Sequence, residues 1–292
     1  MLVPNLRPLS KEERVIYLTA LENEGFTISK KPPKERASAK LDITIKPGST
    51  VRIGVVSDTH IGSKFQQVTG LRDFYRHADE RGVQAYLHAG DVLEGIHQAH
   101  RDAAYEQYAF GVDEQVAAVA RQYPVSKNGK TYHIAGNHDD WAFQNVGVTS
   151  GAMIETRRPD MPYLGYHSAF VELGNVRFLL QHGSKGGSTY AKSYKAQKLV
   201  EGLADNERTA TDFALFGHYH QDAYLGKYMG VFSFMLPCFK AQDRFLRMLG
   251  KNPIIGGLIL EIEFTRDKRI WNLKQEWRYY DAMMNDFPGA NA

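Results

Sequence analysis

The sequence predicts an α/β fold in which two packed sheets are flanked by helices. In the first half of the chain, short apolar segments alternate with segments of helical periodicity, which is typical of parallel strands joined by helices. In the second half, strand-like segments follow one another directly, a pattern that indicates hairpins and a second sheet. Ionisable side chains stand where several apolar segments end, and open α/β sheets bind ligands at that edge.

The first 40 residues are expected to form a small helical appendage. Ser10 and Glu13 have the spacing of a capping box, and the apolar residues that follow recur on one helical face as far as Gly25. The segment KKPPKERASAK (30–40) combines paired prolines with basic residues, so we interpret it as a linker, although an exposed loop fits its composition equally well. The chain is therefore divided into an appendage at residues 1–40 and a main domain at residues 41–292.

The main domain shows an ordered series of predicted elements. In chain order these are the strands LDITI and VRIGVV, a helix at LRDFYRHADERG, the strand VQAYLHAGD, a long helix over residues 103–123, the strand TYHIAGN, a hairpin at SAFVELGNVRFLLQHG, a helix over residues 190–204, the strand DFALFGHYH, and further β structure between residues 223 and 264. The strand, helix, strand order of the first half predicts parallel pairing.

Composition and charge narrow the function classes only slightly. The net charge of +3 over 292 residues permits a nucleic-acid partner without requiring one. The single cysteine, Cys238, excludes an intramolecular disulfide and a cysteine-rich zinc site. No apolar stretch approaches the roughly 18 residues of a membrane span, and the N-terminus lacks the apolar core of a signal peptide. We therefore expect a soluble, cytoplasmic protein with no membrane partner, and the sequence does not determine its oligomeric state.

Five short motifs place potential metal ligands at the ends of predicted strands. They are SDTH (Asp58, His60), AGDVLEG (Asp91), AGNHDD (Asn137, His138), QHG (His182) and GHYH (His218, His220). A single histidine at a strand end is more often a hydrogen-bonded structural residue, but this set supplies two carboxylates, one amide oxygen and five imidazoles. Such nitrogen and oxygen ligands suit Mn, Fe, Co, Ni or Zn better than Ca or Mg. Adjacent glycines would let the backbone turn tightly at these positions, so the motifs together predict a shared metal site.

The motif order D-x-H, GD, GNHD, H and GHxH resembles the calcineurin-like metallophosphoesterase superfamily over roughly residues 52–220. The resemblance implies a two-sheet α/β/β/α sandwich that binds two divalent transition-metal ions, with Mn favoured over Fe, Ni, Co or Zn. It implies that the ligands of the first ion are Asp58, His60, Asp91 and His220. It implies that those of the second ion are Asp91, Asn137, His182 and His218, so that Asp91 bridges the ions. His138 would stay off the metals and act on the phosphate, by protonating the leaving oxygen or stabilising charge in the transition state.

Two motifs favour a nuclease within this superfamily. SDTHIGSKF and GDVLEGI resemble the exonuclease subunit of archaeal D-type DNA polymerases and, more loosely, the recombination nucleases. Protein phosphatases of the superfamily carry an arginine in a GDxVDRG block, and this chain does not. Glu94 stands where the recombination nucleases tend to have a histidine, and His97 or His100 could replace it.

The predicted function is therefore hydrolysis of nucleic-acid phosphodiester bonds, with DNA as the expected substrate and a repair-type exonuclease as the expected class. The alternatives are a phosphomonoesterase, a small-molecule or cyclic-nucleotide phosphodiesterase, and an inactive binding scaffold. The candidate substrate contacts, which are more often residues of a solvated loop, are His97, His100, Arg101 and Lys64.

Overall fold

Two six-stranded mixed sheets pack face to face in the computed structural model of the chain, which describes Thr19 and residues 37–96, 105–183, 193–267 and 270–290. The strands are β1 (Ala37–Lys40), β2 (Thr50–Val56), β3 (Ala85–His88), β4 (Thr131–Ala135), β5 (Tyr163–Tyr166), β6 (Ser168–Leu173), β7 (Val176–His182), β8 (Phe213–Gly217), β9 (Ala223–Tyr228), β10 (Val231–Met235), β11 (Gly256–Phe264) and β12 (Ile270–Tyr279). The first sheet has the order β1-β6-β7-β8-β10-β9, and the second has the order β12-β11-β2-β3-β4-β5. The central strands β2, β3 and β4 are parallel neighbours, as are β7 and β8.

Helices cover the outer faces of both sheets. In the part of the chain that the structure describes they are α1 (Val68–Glu80), α2 (Gly111–Gln122), α3 (Trp141–Val146), α4 (Ser150–Arg157), α5 (Tyr194–Glu201), α6 (Asp205–Thr209) and α7 (Arg244–Met248). Residues of α1, α2 and α4 share one buried apolar cluster with the second sheet, and residues of α5 share another with the first sheet. None of these described helices has the length and apolar character needed to cross a membrane. The layer order is helix, sheet, sheet, helix, which confirms the predicted α/β/β/α sandwich.

The largest core lies between the two sheets. Ile53 and Val55 of β2 belong to the same buried cluster as Phe178 and Leu180 of β7. Because successive side chains of a strand point to opposite faces, the neighbouring Val56 joins the cluster beneath the helices instead. The central strands are therefore buried on both faces, and burial of each such side chain contributes roughly 1.5–3 kcal/mol. This packing holds the strand ends, and the residues that follow them, in fixed positions.

The first sheet begins earlier in the chain than predicted. The last four residues of the predicted linker form β1, which pairs in parallel with β6. The predicted strand at residues 41–45 does not form, although Leu41, Ile43 and Ile45 contribute to the core between the sheets. The backbone N–H of Leu41 extends the pairing by donating a hydrogen bond to the carbonyl oxygen of Glu172. Strand β6 ends at the next residue, Leu173, so none of the described strands pairs with residues 42–45. The predicted helix at residues 10–25 lies outside the described residues apart from Thr19.

Two predicted helices are shorter than expected. The helix predicted for residues 103–123 begins at Gly111. The backbone of the described residues before Gly111 forms hydrogen bonds with the loop after β2 instead. The backbone N–H of Lys64 donates to the carbonyl oxygen of Glu106 at 2.7 Å. The backbone N–H of Tyr108 donates to the carbonyl oxygen of Gly62 at 3.0 Å. The helix predicted for residues 190–204 is α5, of which the structure describes Tyr194–Glu201, and residues 190–192 lie outside the described residues.

Candidate metal centre

The predicted ligands meet at one edge of the sandwich, where the carboxyl ends of five strands converge. In the second sheet, Asp58 follows β2, Asp91 follows β3 and Asn137 follows β4. In the first sheet, His182 is the last residue of β7 and His218 comes directly after β8. Parallel strands end at the same edge of a sheet, so the alternation predicted from the sequence brings these side chains together.

Five ligand residues have a left-handed backbone conformation. The φ angles are 53° at Asp58, 47° at His60, 56° at Asp91, 86° at His218 and 52° at His220. A non-glycine residue in this region costs on the order of 1–3 kcal/mol, and such strain concentrates at functional sites. Among the described residues, only three other non-glycine positions share this conformation. The backbone is therefore strained mainly where the candidate ligands are presented.

Two glycines allow the strand ends to approach one another closely. Gly90 has a φ of +93°, and a Cβ there would lie 2.6 Å from Nδ1 of His182. A Cβ at Gly136 would collide with the Asp91 carboxylate and would lie 2.6 Å from the Asp91 backbone nitrogen. The tight turn predicted for these glycines is present at Gly90, whereas Gly136 is required because it leaves space for Asp91.

Asp58, His60 and His220 form the first group of potential ligands. Nε2 of His220 lies 3.3 Å from Oδ1 of Asp58 and 3.3 Å from Nε2 of His60. The Asp58 carboxylate also accepts hydrogen bonds from the Ser57 hydroxyl and the His218 backbone N–H. Burial opposes ionisation of Asp58, but the nearby His220 lowers the pKa of this carboxyl below its usual value. Asp58 is therefore an ionised, fully buried carboxylate aimed at two imidazoles.

Asp91, His182 and His218 form the second group, and Asn137 completes it. Nε2 of His182 lies 3.0 Å from Oδ2 of Asp91 and 3.1 Å from Oδ1 of Asn137. Oδ1 of Asn137 is also 2.8 Å from Nδ1 of His218. Oδ2 of Asp91 is only 3.8 Å from Nε2 of His60 in the first group. Asp91 therefore lies between the two groups, where it can contribute to both.

The hydrogen bonds of the His182 imidazole fit a bound cation. Nδ1 of His182 lies 2.7 Å from the carbonyl oxygen of Ala89, which can only accept, so Nε2 directs its lone pair at the oxygens of Asp91 and Asn137. An acceptor that faces acceptors needs either a proton or a cation. Burial lowers the pKa of His182, but the charge of Asp91 outweighs this and raises it to about 9. A divalent cation would satisfy the same atoms without a bound proton.

His60 presents its Nε2 lone pair in the same way. Its Nδ1 lies 2.9 Å from Oε2 of Glu94 and donates to that carboxylate. Burial and the charge of Lys240 lower the pKa of His60 to about 4, so its ring is neutral at physiological pH. Nε2 therefore directs a lone pair toward Nε2 of His220. The two groups fit two divalent ions with mixed nitrogen and oxygen ligands.

His138 lies beside the first group and is oriented by two hydrogen bonds. Its Nδ1 donates to the backbone carbonyl of Glu94 at 2.5 Å, and its backbone N–H donates to Oδ1 of Asp91 at 2.8 Å. The rings of His138 and His60 meet edge to face with their centroids 4.6 Å apart. Because Nδ1 carries the hydrogen of the bond to Glu94, Nε2 is the nitrogen that can exchange a proton.

None of the four predicted substrate contacts has a hydrogen bond or ion pair to a ligand residue in the part of the chain that the structure describes. Lys64 is exposed, and its ammonium group donates to the backbone carbonyl of Tyr105 at 2.8 Å. His97, His100 and Arg101 lie outside the described residues. Their assignment to substrate binding stays a prediction.

Sequence reasoning missed three charged residues around the site. Glu94 was noted only as a departure from a motif, yet its carboxylate binds His60. Lys240 pairs with Glu94 across 146 positions of sequence, so no local pattern could have indicated it. Asp139, the first aspartate after GNH, accepts the backbone N–H groups of Val92 and Leu93 and so joins the loop after β4 to the loop after β3. The position of Asp139 within GNHDD is the sequence signal that could have indicated this residue.

A protein-family model matches the chain over most of the described domain. A model described as the calcineurin-like phosphoesterase superfamily domain matches residues 51–231, which is more than half of the chain. A dimetal phosphatase from Danio rerio is 11% identical, with a TM-score of 0.38, over 79% of this chain and 99% of its own. A 5'-nucleotidase precursor from Thermus thermophilus is 14% identical, with a TM-score of 0.34, over 79% of this chain and 54% of its own. No relative was found among curated proteins.

Proposed function

The chain belongs to the calcineurin-like phosphoesterase superfamily and is a metal-dependent phosphoesterase, and from this premise we propose that it hydrolyses a small phosphodiester with two bound transition-metal ions. The observation that carries the proposal is the position of Asp91 between two groups of ligands, one around Asp58 and one around His182. Two ions held this way would lower the pKa of a water molecule between them and stabilise negative charge on the phosphoryl oxygens.

The residues of the chain have separate roles in this proposal. Asp58, Asp91 and the surrounding imidazoles would hold the two ions. His138 is oriented by Glu94 and Asp91 so that its Nε2 can deliver a proton to the leaving oxygen. Because the Asp91 carboxylate accepts the His138 backbone N–H directly, the proposed proton donor and the residue between the two ligand groups are positioned together.

The charges of the described residues, which do not include residues 97–104 and 184–192, favour a diester over a monoester. A phosphomonoester has three terminal oxygens and up to two negative charges, and enzymes that bind it commonly add arginine or lysine side chains to the metals. Among the described residues, Lys240 is the only lysine or arginine that bonds to a residue of the site, and it is held between Glu94 and Asp243 at 2.9 and 2.8 Å. Its charge is therefore already compensated. A diester, with two terminal oxygens and one negative charge, needs no further cation.

Nucleic acid as the substrate stays a prediction from the sequence. The residues that suggested it are either outside the described part of the chain or, in the case of Lys64, bonded to the backbone. The motifs SDTHIGSKF and GDVLEGI remain its support. A small diester is the substrate class that the described charges favour, and the two can be separated by experiment.

Removal of metal is expected to abolish hydrolysis, and Mn is expected to restore it best. The ligand set contains imidazole nitrogens, carboxylates and one amide oxygen, which suits Mn, Fe, Co, Ni and Zn better than Mg or Ca. Protein stripped with a chelator should be titrated with each ion by calorimetry and assayed in parallel on a diester. Two ions per chain are expected. Full activity in protein whose metal content has been measured as zero would refute the proposal.

A small diester is expected to be hydrolysed with a higher kcat/KM than a monoester. The comparison uses bis-p-nitrophenyl phosphate, p-nitrophenyl phosphate, a 3',5'-cyclic nucleotide and a single-stranded oligonucleotide, all with Mn and the same enzyme preparation. The Asp91→Asn variant serves as the control for contaminating phosphatases. Preference for p-nitrophenyl phosphate would assign a monoesterase. Preference for the oligonucleotide over both small diesters would restore the nuclease prediction.

A further inference from the structure

Glu94 lies at the centre of a buried cluster that touches both the first ligand group and His138. Glu94 is 6% exposed and lies three residues after Asp91, in the loop that follows β3. Oε2 accepts the hydrogen of His60 Nδ1 at 2.9 Å, and Oε1 pairs with Nζ of Lys240 at 2.9 Å. The backbone carbonyl of Glu94 accepts the hydrogen of His138 Nδ1. A single residue therefore contacts a metal ligand, a buried cation and the proposed proton donor.

The geometry points to Glu94 as the positioning residue that fixes the tautomer and orientation of His60, and to Lys240 as the cation that keeps Glu94 in this role. The inference rests on the two-metal site proposed above. A histidine ligand whose remaining N–H is held by a carboxylate binds metal more strongly, because the ring is oriented in advance and its ligating nitrogen becomes more basic. Here the carboxylate comes from Glu94, which lies in the AGDVLEG motif but is not one of the predicted ligands.

His60, Glu94 and His138 could themselves be taken for a third ion site, since their potential ligand atoms lie within 4.8 Å of one another. The contacts argue against that interpretation. Nδ1 of His60 and Nδ1 of His138 are both occupied as donors to Glu94. The ammonium group of Lys240 lies against the same carboxylate and would repel an added cation. Glu94 therefore acts through hydrogen bonds that hold His60 and His138 in place beside the first ligand group.

Lys240 also pairs with the second oxygen of Glu94 inside the buried cluster. The lysine is 3% exposed and pairs with Asp243 as well as with Glu94. One oxygen of Glu94 is bound to the lysine and the other to His60. Both oxygens of the Glu94 carboxylate are therefore engaged by these two partners.

The test compares two variants that each remove one of the carboxylates paired with Lys240. Glu94→Gln keeps the size of the side chain, and Asp243 continues to pair with the lysine, so no unpaired buried charge results. Asp243→Asn is the matched control, because Asp243 bonds to the same lysine and caps α7 through the Leu246 N–H, a role that asparagine also fills. Metal-free forms of both variants and of the wild type are titrated with Mn by calorimetry, and circular dichroism confirms their folding.

Glu94→Gln is expected to weaken one of the two binding events by about 10- to 100-fold while leaving the other unchanged. Asp243→Asn is expected to bind both ions as the wild type does. Wild-type affinity at both sites in Glu94→Gln, or equal weakening in Asp243→Asn, would overturn the inference. Failure of the wild type to bind two ions would instead refute the two-metal proposal on which it rests.

Discussion

Asp91→Asn is expected to lose both metal ions and with them nearly all activity. Oδ2 of Asp91 is 3.0 Å from His182 in one group and 3.8 Å from His60 in the other, so one carboxylate serves both. Asparagine keeps the acceptor for the His138 backbone N–H but removes the negative charge that holds two cations near each other. Loss of metal stabilisation amounts to several kcal/mol, so kcat/KM should fall on the order of 10³-fold or more.

Metal content and activity are measured together on Asp91→Asn and on a matched control. Asp140→Asn changes a buried aspartate in the GNHDD motif that accepts hydrogen bonds from Tyr166 and Gln144. None of the hydrogen bonds or ion pairs described for Asp140 joins it to a ligand residue. The control should therefore retain two ions per chain and most of its activity. If Asp91→Asn still binds one ion with wild-type affinity, Asp91 belongs to a single ion site and the bridging assignment is wrong.

The location of the site could be predicted because its ligands are encoded locally. Each ligand stands within a few residues of the end of an apolar segment, and parallel strands place these ends at one edge. The order of the strands in each sheet was not needed to predict that the ligands lie at this edge. Convergence of Asp58 with His220 and of Asp91 with His182 follows from strand ends that belong to different sheets of one sandwich.

The support around the ligands could not be predicted because it depends on contacts that are distant in sequence. Lys240 lies between β10 and α7, and nothing near it resembles a motif of the site. Its pairing with Glu94 arises only when the second half of the chain folds over the loop after β3. Glu94 itself could be recognised as unusual from the sequence, but its partner could not.

The errors in the predicted elements have the same origin. Residues 41–45 have the alternation of a strand, but strand formation requires a partner, and β6 ends too early to supply one. Residues 105–110 have a helical pattern, but their backbone groups bond to the loop that carries Asp58 and His60. Tertiary hydrogen bonds therefore override local propensity next to the site. Strands β5 and β12 and the short helices α3, α4, α6 and α7 were not predicted.

His138→Ala is expected to keep both metal ions and to lose turnover, which would separate chemistry from metal binding. The ring of His138 is held through Nδ1 by the Glu94 carbonyl, and its backbone contact with Asp91 does not depend on the side chain. Loss of a positioned proton donor should lower kcat by about 10²- to 10⁴-fold. The metal stoichiometry measured by calorimetry should equal that of the wild type. His77→Ala, which removes a histidine of α1 paired with Glu276, is the control and should leave both quantities unchanged.

The leaving group decides how His138 acts. A proton donor matters most when the departing oxygen is a strong base, so His138→Ala should lose more activity on a 3',5'-cyclic nucleotide, with its alkoxide leaving group, than on bis-p-nitrophenyl phosphate. An electrostatic role would lower both rates equally, because the charge on the phosphoryl oxygens forms with either substrate. Equal losses would therefore exclude proton donation, and loss of a metal ion from His138→Ala would show that His138 is a ligand. The orientation of His138, with Nδ1 donating to the Glu94 carbonyl, favours the unequal result because Nε2 is then the nitrogen that transfers a proton.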